Sequence, residues 1–138
     1  MWKNSDPKYG DQIRVCRGFY YHYGIYAADD CVIHFAPAGN SDRIDPENAR
    51  IITTSLEEFL KSGVLEVRQY NSEENKIKRK PQEIVNCALS HLGEGGYDLI
   101  NNNCEHFANL CVFGSKSSAQ VDRVLQMFFG GLKKWFSV

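Results

Sequence analysis

The sequence predicts an α+β domain in which an antiparallel β-sheet packs against helices. Short runs of alternating, β-branched and aromatic residues, separated by turn residues, fill the first part of the chain, which is typical of strands. Later segments have apolar residues at helical spacing, bounded by capping and terminating residues. At 138 residues the chain fits a single domain over 1–138, with a core over about 9–128.

The composition argues against several classes of protein. A formal charge of −1 gives no reason to expect nucleic acid as a partner. Five cysteines, an odd number without a C-x-x-C pair, argue against a disulfide framework and a zinc ribbon. The first residues contain no apolar signal segment, and no run of 18 apolar residues occurs. We therefore expect a soluble, cytoplasmic protein.

The first strands and their turns are predicted in order along the chain. An entry turn at 9–11 precedes a strand over 12–16, whose polar and apolar residues alternate. A second strand over 22–27 and a third over 31–36 are separated by a turn, and Pro37 ends the third. The second strand carries His22 and the third carries His34.

The register of this hairpin decides whether the two histidines can cooperate, because a slip of one residue reverses the face of a side chain. A three-residue loop at 28–30 pairs Ala27 with Cys31 and Gly24 with His34. His22 and His34 are then diagonal neighbours on one face. We expect this odd loop, because a two-residue loop would separate the histidines.

The middle of the chain predicts a loop, a strand, a helix and a further strand. Turn-forming residues over 38–50 indicate a surface loop, and 51–54 a strand. The capping box at 55–58 starts a short helix that stops at Gly63, and a strand follows over 64–70. The polar segment 71–80 is interpreted as a connector.

Two later helices are predicted before the cysteine segment and after it. Pro81 begins the first, Gly93 ends it, and its apolar stripe consists of Ile84, Val85, Ala88, Leu89 and Leu92. The second begins at a capping box over 117–120. The tail 129–138 combines aromatic residues with lysines, so it either touches a membrane interface or packs on its own domain.

Cys104 follows three asparagines and begins a segment that predicts a helix through Phe113, closed by Gly114. A thiol in the first turn faces the positive end of the helix dipole and unpaired N–H groups, both of which favour the thiolate. We therefore expect Cys104 to be at least partly ionised. The same N–H groups suit an oxyanion.

Cys104, His22 and His34 form the candidate catalytic set: a nucleophile, a general base, and a second imidazole that orients the base. Each also has a structural interpretation, since a cysteine at a helix start is often a small buried residue and a strand histidine is often a satisfied core group. His106 is only two positions from Cys104 on the helix and points away from it. A zinc site built from the same three residues is a rival.

Several motifs together resemble the lecithin:retinol acyltransferase family, and within it the small phospholipase A/acyltransferases. The resemblance runs from the opening turn to the capping box near residue 117 and covers most of the chain. The motifs are Asn103-Cys104-Glu105-His106-Phe107, Tyr20-Tyr21-His22-Tyr23-Gly24-Ile25-Tyr26 and Val32-Ile33-His34-Phe35-Ala36-Pro37.

The resemblance implies a fold, an activity and a set of roles. The fold is a circularly permuted papain-like thiol hydrolase fold. The activity is cleavage of an acyl ester of a phospholipid through a thioester on Cys104, followed by transfer of the acyl group to water, an amine or a lysolipid. His22 is the implied base and His34 the third residue, and no metal or cofactor is implied. Transient contact with a membrane surface follows from such a substrate.

Tyr20, Tyr21 and Tyr23 are candidate substrate-binding residues beside His22. The family usually has Trp directly after the first histidine, where Tyr23 stands here, which affects the shape of the pocket. An acyl groove lined by aromatic residues such as Phe19, Phe35 and Phe107 is a further expectation, although these side chains fit a core equally well.

Two other functions stay open. One is an amidase or peptidase activity of the wider permuted thiol-hydrolase group. The other is a non-enzymatic interaction module with the same fold. Retention of Cys104, His22 and His34 argues against simple decay of the site but does not remove a binding role.

Overall fold

The computed structural model describes residues 1–36, 48–96 and 104–114. The helices and strands lie in these ranges and are numbered in chain order. They are β1 Trp2–Lys3, β2 Gln12–Cys16, β3 Tyr21–Ala28, β4 Cys31–Ala36, β5 Arg50–Thr54, α1 Leu56–Leu60, β6 Leu65–Arg68, α2 Ser72–Ile77, α3 Pro81–Ser90 and α4 Cys104–Phe113.

In the part of the chain described, six strands form one sheet in the order β1-β6-β2-β3-β4-β5. Every neighbouring pair is antiparallel. β2, β3, β4 and β5 are neighbours both in the chain and in the sheet, as is usual for consecutive strands, and β6 returns between β1 and β2. The predicted α+β class with an antiparallel sheet is confirmed.

The sheet has two apolar faces because side chains alternate along each strand. Ile25 and Ile33 belong to a buried cluster with residues of α3 and α4, whereas Tyr26 and Val32 belong to a second cluster with Phe59 of α1. The sheet therefore lies between α3 and α4 on one face, the α4 face, and α1 on the other, the α1 face. Each fully buried Val, Ile or Phe contributes about 1.5–3 kcal/mol by leaving water.

The β3–β4 hairpin has the predicted register at the histidines, but its turn differs from the predicted one. Ala28, rather than the predicted Ala27, pairs with Cys31, which leaves a two-residue turn. Ala27 is the extra residue of a β-bulge, and beyond it Ile25 pairs with Ile33. The bulge shifts the pairing by one residue. The predicted three-residue loop is wrong, yet both histidines still share a face because the bulge compensates.

The predicted first residues of α1 and α3 and the predicted end of α4 are observed, whereas α1 ends at Leu60 and α3 at Ser90, before the predicted Gly63 and Gly93. Ser55 accepts a hydrogen bond from the Glu58 N–H at the start of α1. Pro81 is the first residue of α3. Gly114, at a φ of 83°, follows α4 and donates its N–H to the Leu110 carbonyl. A left-handed residue after a helix favours glycine, which has no Cβ.

The apolar stripe predicted for α3 is confirmed in its first half only. Ile84, Val85 and Ala88 are buried, whereas Leu89 and Leu92 are 39% and 44% exposed. The first three residues belong to the cluster on the α4 face. The last turn of the helix extends past the surface that it could cover.

The segment 71–80 contains a helix, α2, that the sequence analysis interpreted as a connector. Asn71 accepts a hydrogen bond from the Glu74 N–H, and the Glu74 carboxylate accepts one from the Asn71 N–H. This reciprocal pair is a capping box with asparagine at the N-cap. The helix has no apolar stripe, and its buried residue is Glu74 itself.

Several sequence predictions lie outside the described residues. They are most of the loop 38–50, the helix beginning at 117 and the tail 129–138. Among the helices that the structure describes, none combines the length and apolarity required to cross a bilayer.

Candidate active site

His22 and His34 meet on the α1 face of the sheet. His22 Nε2 lies 2.8 Å from His34 Nδ1, and the two residues are 5% and 4% exposed, respectively. The Phe59 ring of α1 packs against both imidazoles, with centroid distances of 5.2 and 5.1 Å. The predicted association of the two histidines is therefore present in the structure.

The second nitrogen of each imidazole has a different environment. His34 Nε2 lies 2.9 Å from Thr54 Oγ1, and the Thr54 hydroxyl donates to the Ser55 carbonyl at 3.1 Å. His22 Nδ1 is buried and has no hydrogen-bond partner among the described residues. Within the described residues, the pair therefore has one nitrogen without a hydrogen bond, which is His22 Nδ1.

Both imidazoles are held neutral by their surroundings. Burial lowers the pKa of His22 well below its usual value, and the neighbouring His34, Arg17 and Lys61 lower it further. Burial also lowers the pKa of His34, to about 4, despite a contact with the Phe35 carbonyl that raises it. A neutral imidazole with a free nitrogen can accept a proton.

Cys104 is the first residue of α4 and reaches the backbone of β3. Its side chain is 5% exposed, and its thiol donates to the Tyr21 carbonyl at 3.9 Å. The Tyr23 N–H also bonds to the thiol. These two groups belong to the peptide units on either side of His22, so Sγ lies against the strand at His22.

The structure does not join Cys104 to the His22 imidazole. Cys104 belongs to the cluster on the α4 face, whereas the imidazole packs on Phe59 at the α1 face. The Cys104 thiol donates to the Tyr21 carbonyl, and His22 Nδ1 has no partner in the described residues. Of the three predicted catalytic residues, His22 and His34 are therefore in contact, whereas Cys104 contacts the backbone on either side of His22.

The predicted thiolate at Cys104 is wrong for this conformation. Burial raises the pKa of the Cys104 thiol to about 11, and the Glu105 carboxylate also raises it. The N–H groups of Tyr23, Cys104 and Glu105 lower the pKa, as expected at a helix start, but their effect is smaller than that of burial. Cys104 is therefore a neutral thiol near pH 7.

Tyr23 links β3 to the first turn of α4. Its hydroxyl bonds to the Glu105 carboxylate and to the Arg14 guanidinium. Burial raises the pKa of Tyr23 to about 12 and also raises the pKa of Glu105. The Tyr23 ring also meets the Trp2 ring, at 5.7 Å between centroids. These contacts hold the residue after the nucleophile against the sheet.

The remaining aromatic candidates divide between the surface and the core. Tyr20 and Tyr21 are 44% and 40% exposed, and Phe19 is fully exposed at the β2–β3 turn. Phe35 and Phe107 are buried and pack edge to face at 5.8 Å. Only the first three are open to a ligand, so the groove residues expected at 35 and 107 are core residues.

A buried polar network fixes α4 to the sheet five residues after the nucleophile. Arg68 donates through Nη1 to Gln12 and to Asn109 of α4, at 2.7 Å in each case, and through Nη2 to Glu74 at 2.8 Å. Gln12 also donates to Asn109, at 3.1 Å. All four side chains are at most 5% exposed. The network joins β2, β6, α2 and α4.

In the ranges that the structure describes, no group of three or more His, Cys, Asp and Glu residues is arranged to hold a metal ion. His22 Nε2 and His34 Nδ1, which face each other, are hydrogen-bonded to one another. That the protein uses neither metal nor cofactor stays a prediction.

Comparison with models of known protein families gives a match over most of the chain. The family model for lecithin retinol acyltransferase matches residues 5–117. The chain therefore belongs to the lecithin retinol acyltransferase family.

Individual relatives carry more specific names. Rat phospholipase A and acyltransferase 5 is 32% identical over 133 residues, which cover 88% of this chain and 44% of that protein. Human phospholipase A and acyltransferase 4 is 30% identical over 130 residues, covering 87% and 78%. Rat lecithin retinol acyltransferase is 29% identical over 133 residues, covering 83% and 58%. The chain thus spans less than half of the rat type 5 protein.

The sequence did not predict three contacts of the site, which are those of Thr54 with His34, Tyr23 with Glu105, and Asn109 with Arg68. Thr54 reaches His34 across the β4–β5 pair, in which Val32 lies opposite Thr54. β4 ends at Ala36 and β5 begins at Arg50, so no local pattern could give the register of that pair. Asn109 carried a signal, since it is a polar residue within the apolar run from Phe107 to Phe113.

Proposed function

We propose that this protein is a thiol-dependent phospholipase A or acyltransferase that acts on a glycerophospholipid. Family membership and the names of the relatives support the reaction class. The observation that carries the proposal is the neutral, buried histidine pair with one unused nitrogen, beside whose strand the Cys104 thiol lies. The relation to papain-like thiol hydrolases by circular permutation is part of the same proposal.

In the first half-reaction Cys104 attacks the acyl carbonyl. The Sγ–C bond forms, His22 Nδ1 takes the thiol proton, and the ester C–O bond then breaks. The same proton passes from His22 to the leaving lysophospholipid oxygen. In the second half-reaction water, an amine or a lysolipid attacks the thioester, His22 takes the acceptor proton, and the Cys104 thiol is regenerated.

The buried thiol favours proton transfer during attack over a preformed ion pair. With the pKa of Cys104 raised and that of His22 lowered by burial, both groups start neutral. Attack then requires Sγ and His22 Nδ1 to approach within about 2.6–3.2 Å, which is the distance for direct proton transfer. In this structure the two groups lie on opposite faces of the sheet, so the proposal requires a rearrangement that brings them together when substrate binds.

Exposed aromatic side chains support a lipid substrate. Phe19, Tyr20 and Tyr21 are exposed at the β2–β3 turn, next to the peptide unit that contacts the thiol. Aromatic side chains suit the boundary between lipid headgroups and acyl chains. We assign Tyr20 and Tyr21 to substrate contact, and Tyr23 to support of α4 because its hydroxyl is engaged by Glu105.

Intact-mass spectrometry with phosphatidylcholine vesicles tests the proposal. The wild type should gain a fatty-acyl mass that hydroxylamine removes, with lysophospholipid released in parallel. Cys104→Ala should gain none, and His22→Gln should form the adduct about 10²- to 10⁴-fold more slowly. Cys16→Ala, which removes an exposed thiol, is the control and should behave as the wild type.

The outcomes separate the two roles. Absence of both adduct and lysophospholipid in the wild type contradicts the lipid reaction. An acyl adduct that persists in Cys104→Ala contradicts the nucleophile. An adduct on Cys104 that forms equally fast in His22→Gln leaves the nucleophile in place and rejects the base.

A further inference from the structure

We propose that Thr54 is a positioning residue that selects the tautomers of both histidines and so leaves the lone pair of His22 Nδ1 free to accept a proton. The proposal rests on the proposed function for its kinetic consequence. Its structural part concerns the hydrogen-bond chain from Ser55 through Thr54 and His34 to His22 and stands independently.

The chain begins at the Thr54 hydroxyl, which has a single proton. That proton is directed to the Ser55 carbonyl at 3.1 Å. With its proton on the Ser55 carbonyl, the hydroxyl oxygen accepts from His34 Nε2, which lies 2.9 Å away. Consequently His34 carries its proton on Nε2.

The next link follows from the neutrality of the imidazoles. A neutral imidazole has one N–H, so His34 Nδ1 is an acceptor. The 2.8 Å contact between His34 Nδ1 and His22 Nε2 then requires the proton to lie on His22 Nε2. His22 Nδ1 is left with a lone pair and without a partner among the described residues. This is the protonation state that a general base requires.

One competing arrangement exists in the same geometry. The Phe35 carbonyl lies 3.3 Å from His34 Nδ1 and would accept a proton there. Thr54 would then donate to His34 Nε2, and His22 would accept through Nε2 and carry its proton on Nδ1, where it could not take another. Donation of the Thr54 proton to the Ser55 carbonyl selects the active tautomer pair, and donation to His34 Nε2 would select the inactive one.

The same arrangement of tautomers also stabilises the imidazolium that forms when His22 is protonated. When His22 Nδ1 receives a proton, the cation has two N–H groups, of which Nε2–H donates to His34 Nδ1. Thr54 keeps that nitrogen unprotonated, so the positive charge meets an acceptor. Replacing the threonine with an apolar residue of the same shape removes this selection without leaving a large cavity.

Ring-nitrogen NMR of ¹⁵N-labelled protein near pH 7.5 tests the proposal on the wild type and on three variants. Thr54→Val loses the hydroxyl, Thr54→Ser keeps it, and Thr53→Val is the matched control at an exposed neighbouring position. We expect Nε2–H tautomers at both histidines in the wild type, Thr54→Ser and Thr53→Val. In Thr54→Val we expect a shift towards Nδ1–H.

The same variants give a kinetic readout. Thr54→Val should form the acyl-enzyme about 10- to 100-fold more slowly at unchanged KM, as loss of a supporting partner commonly does, and Thr54→Ser should restore the rate. An Nδ1–H tautomer at His34 in the wild type overturns the proposal, as does an unchanged tautomer in Thr54→Val. The NMR result is independent of whether the wild type forms an acyl-enzyme, so failure of the proposed function is recognised separately.

Discussion

The buried thiol of Cys104 and the partly exposed thiol of Cys87 face opposite electrostatic environments. Burial raises the pKa of Cys104 to about 11. At Cys87 a hydrogen bond from the Cys111 thiol lowers the pKa, and the Arg79 side chain lowers it further. Cys87 is on α3 and Cys111 on α4, so the activated thiol lies between these helices, away from the thiol that the proposed reaction uses.

Alkylation rates should follow this difference. At pH 7 iodoacetamide should modify Cys87 faster than Cys104, because the thiolate is the nucleophile. The Cys104 rate should keep rising with pH up to about 11, whereas that of Cys87 should level off earlier. Peptide mass spectrometry after timed labelling gives each rate. Labelling in urea, where both sites are exposed, is the control, and faster modification of Cys104 in the folded protein would contradict the prediction.

The site residues show which inferences local sequence supports. The His22–His34 contact was predictable only as far as it needs a connection of odd length, because the bulge at Ala27, and not the expected three-residue loop, supplies the odd residue. The charge state of Cys104 was not, because position at a helix start is local but burial depends on packing against β3. Thr54 was out of reach for a similar reason, since its partner comes from the register of another strand pair.

At the scale of elements, the Arg68 network connects two strands and two helices through one guanidinium. Arg68 is 5% exposed, and its ion pair with Glu74 joins β6 to α2. Asn109 extends the network to α4, the helix that carries Cys104. A short helix without an apolar stripe is thus retained by a buried carboxylate.

Removing the guanidinium should destabilise the fold strongly. Arg68→Leu should lower the free energy of unfolding by about 3–5 kcal/mol, because Glu74 is left as a buried, unpaired charge. Adding Glu74→Gln should recover part of this loss, since the charge is then removed and the capping contacts remain available. Urea unfolding measures both.

A surface ion pair provides the comparison. Lys76 and Glu73 lie 3.5 Å apart and are 64% and 57% exposed. Lys76→Ala should leave the unfolding midpoint nearly unchanged because solvent screens such pairs. A loss for Arg68→Leu no larger than that for Lys76→Ala would show that the network contributes little.

The missed elements share a physical cause. α2 has a clear N-terminal cap but no apolar periodicity, and its buried side chain is the Glu74 carboxylate, which pairs with Arg68. β1 has two residues, too few for an alternating pattern, and pairs with the distant β6. The longer strands and helices were predictable because each carries its own alternation or stripe and its own caps.

At the scale of the molecule, the buried histidines couple folding to pH. The unfolded chain binds a proton at each near pH 6.5, whereas folded His34 does so only near pH 4. The pKa values are lowered in the folded state, so their contribution to stability is complete above about pH 6.5 and is lost as the pH falls. Burial of neutral imidazoles therefore makes the fold sensitive to acid.

The slope of stability against pH should reveal this coupling. Between about pH 6.5 and 4 the wild type should lose up to about 1.4 kcal/mol per pH unit for each histidine. His34→Gln should show a shallower slope in urea unfolding across this range. His91→Gln is a control of opposite sign, because Glu94 raises the pKa of His91 and its contribution is lost as the pH rises. Equal slopes for the wild type and His34→Gln would contradict the prediction.

The bulge at Ala27 shifts the pairing register of the whole hairpin by one residue. Because it adds one residue to β3 alone, the turn and the bulge together behave as a connection of odd length. A one-residue deletion in the turn would exchange the face of every β4 side chain, and loss of the bulge by itself would do the same. Two such changes together would cancel. Over evolutionary time, insertions and deletions in this hairpin should therefore be accepted in pairs that preserve parity, whatever the identity of the residues involved.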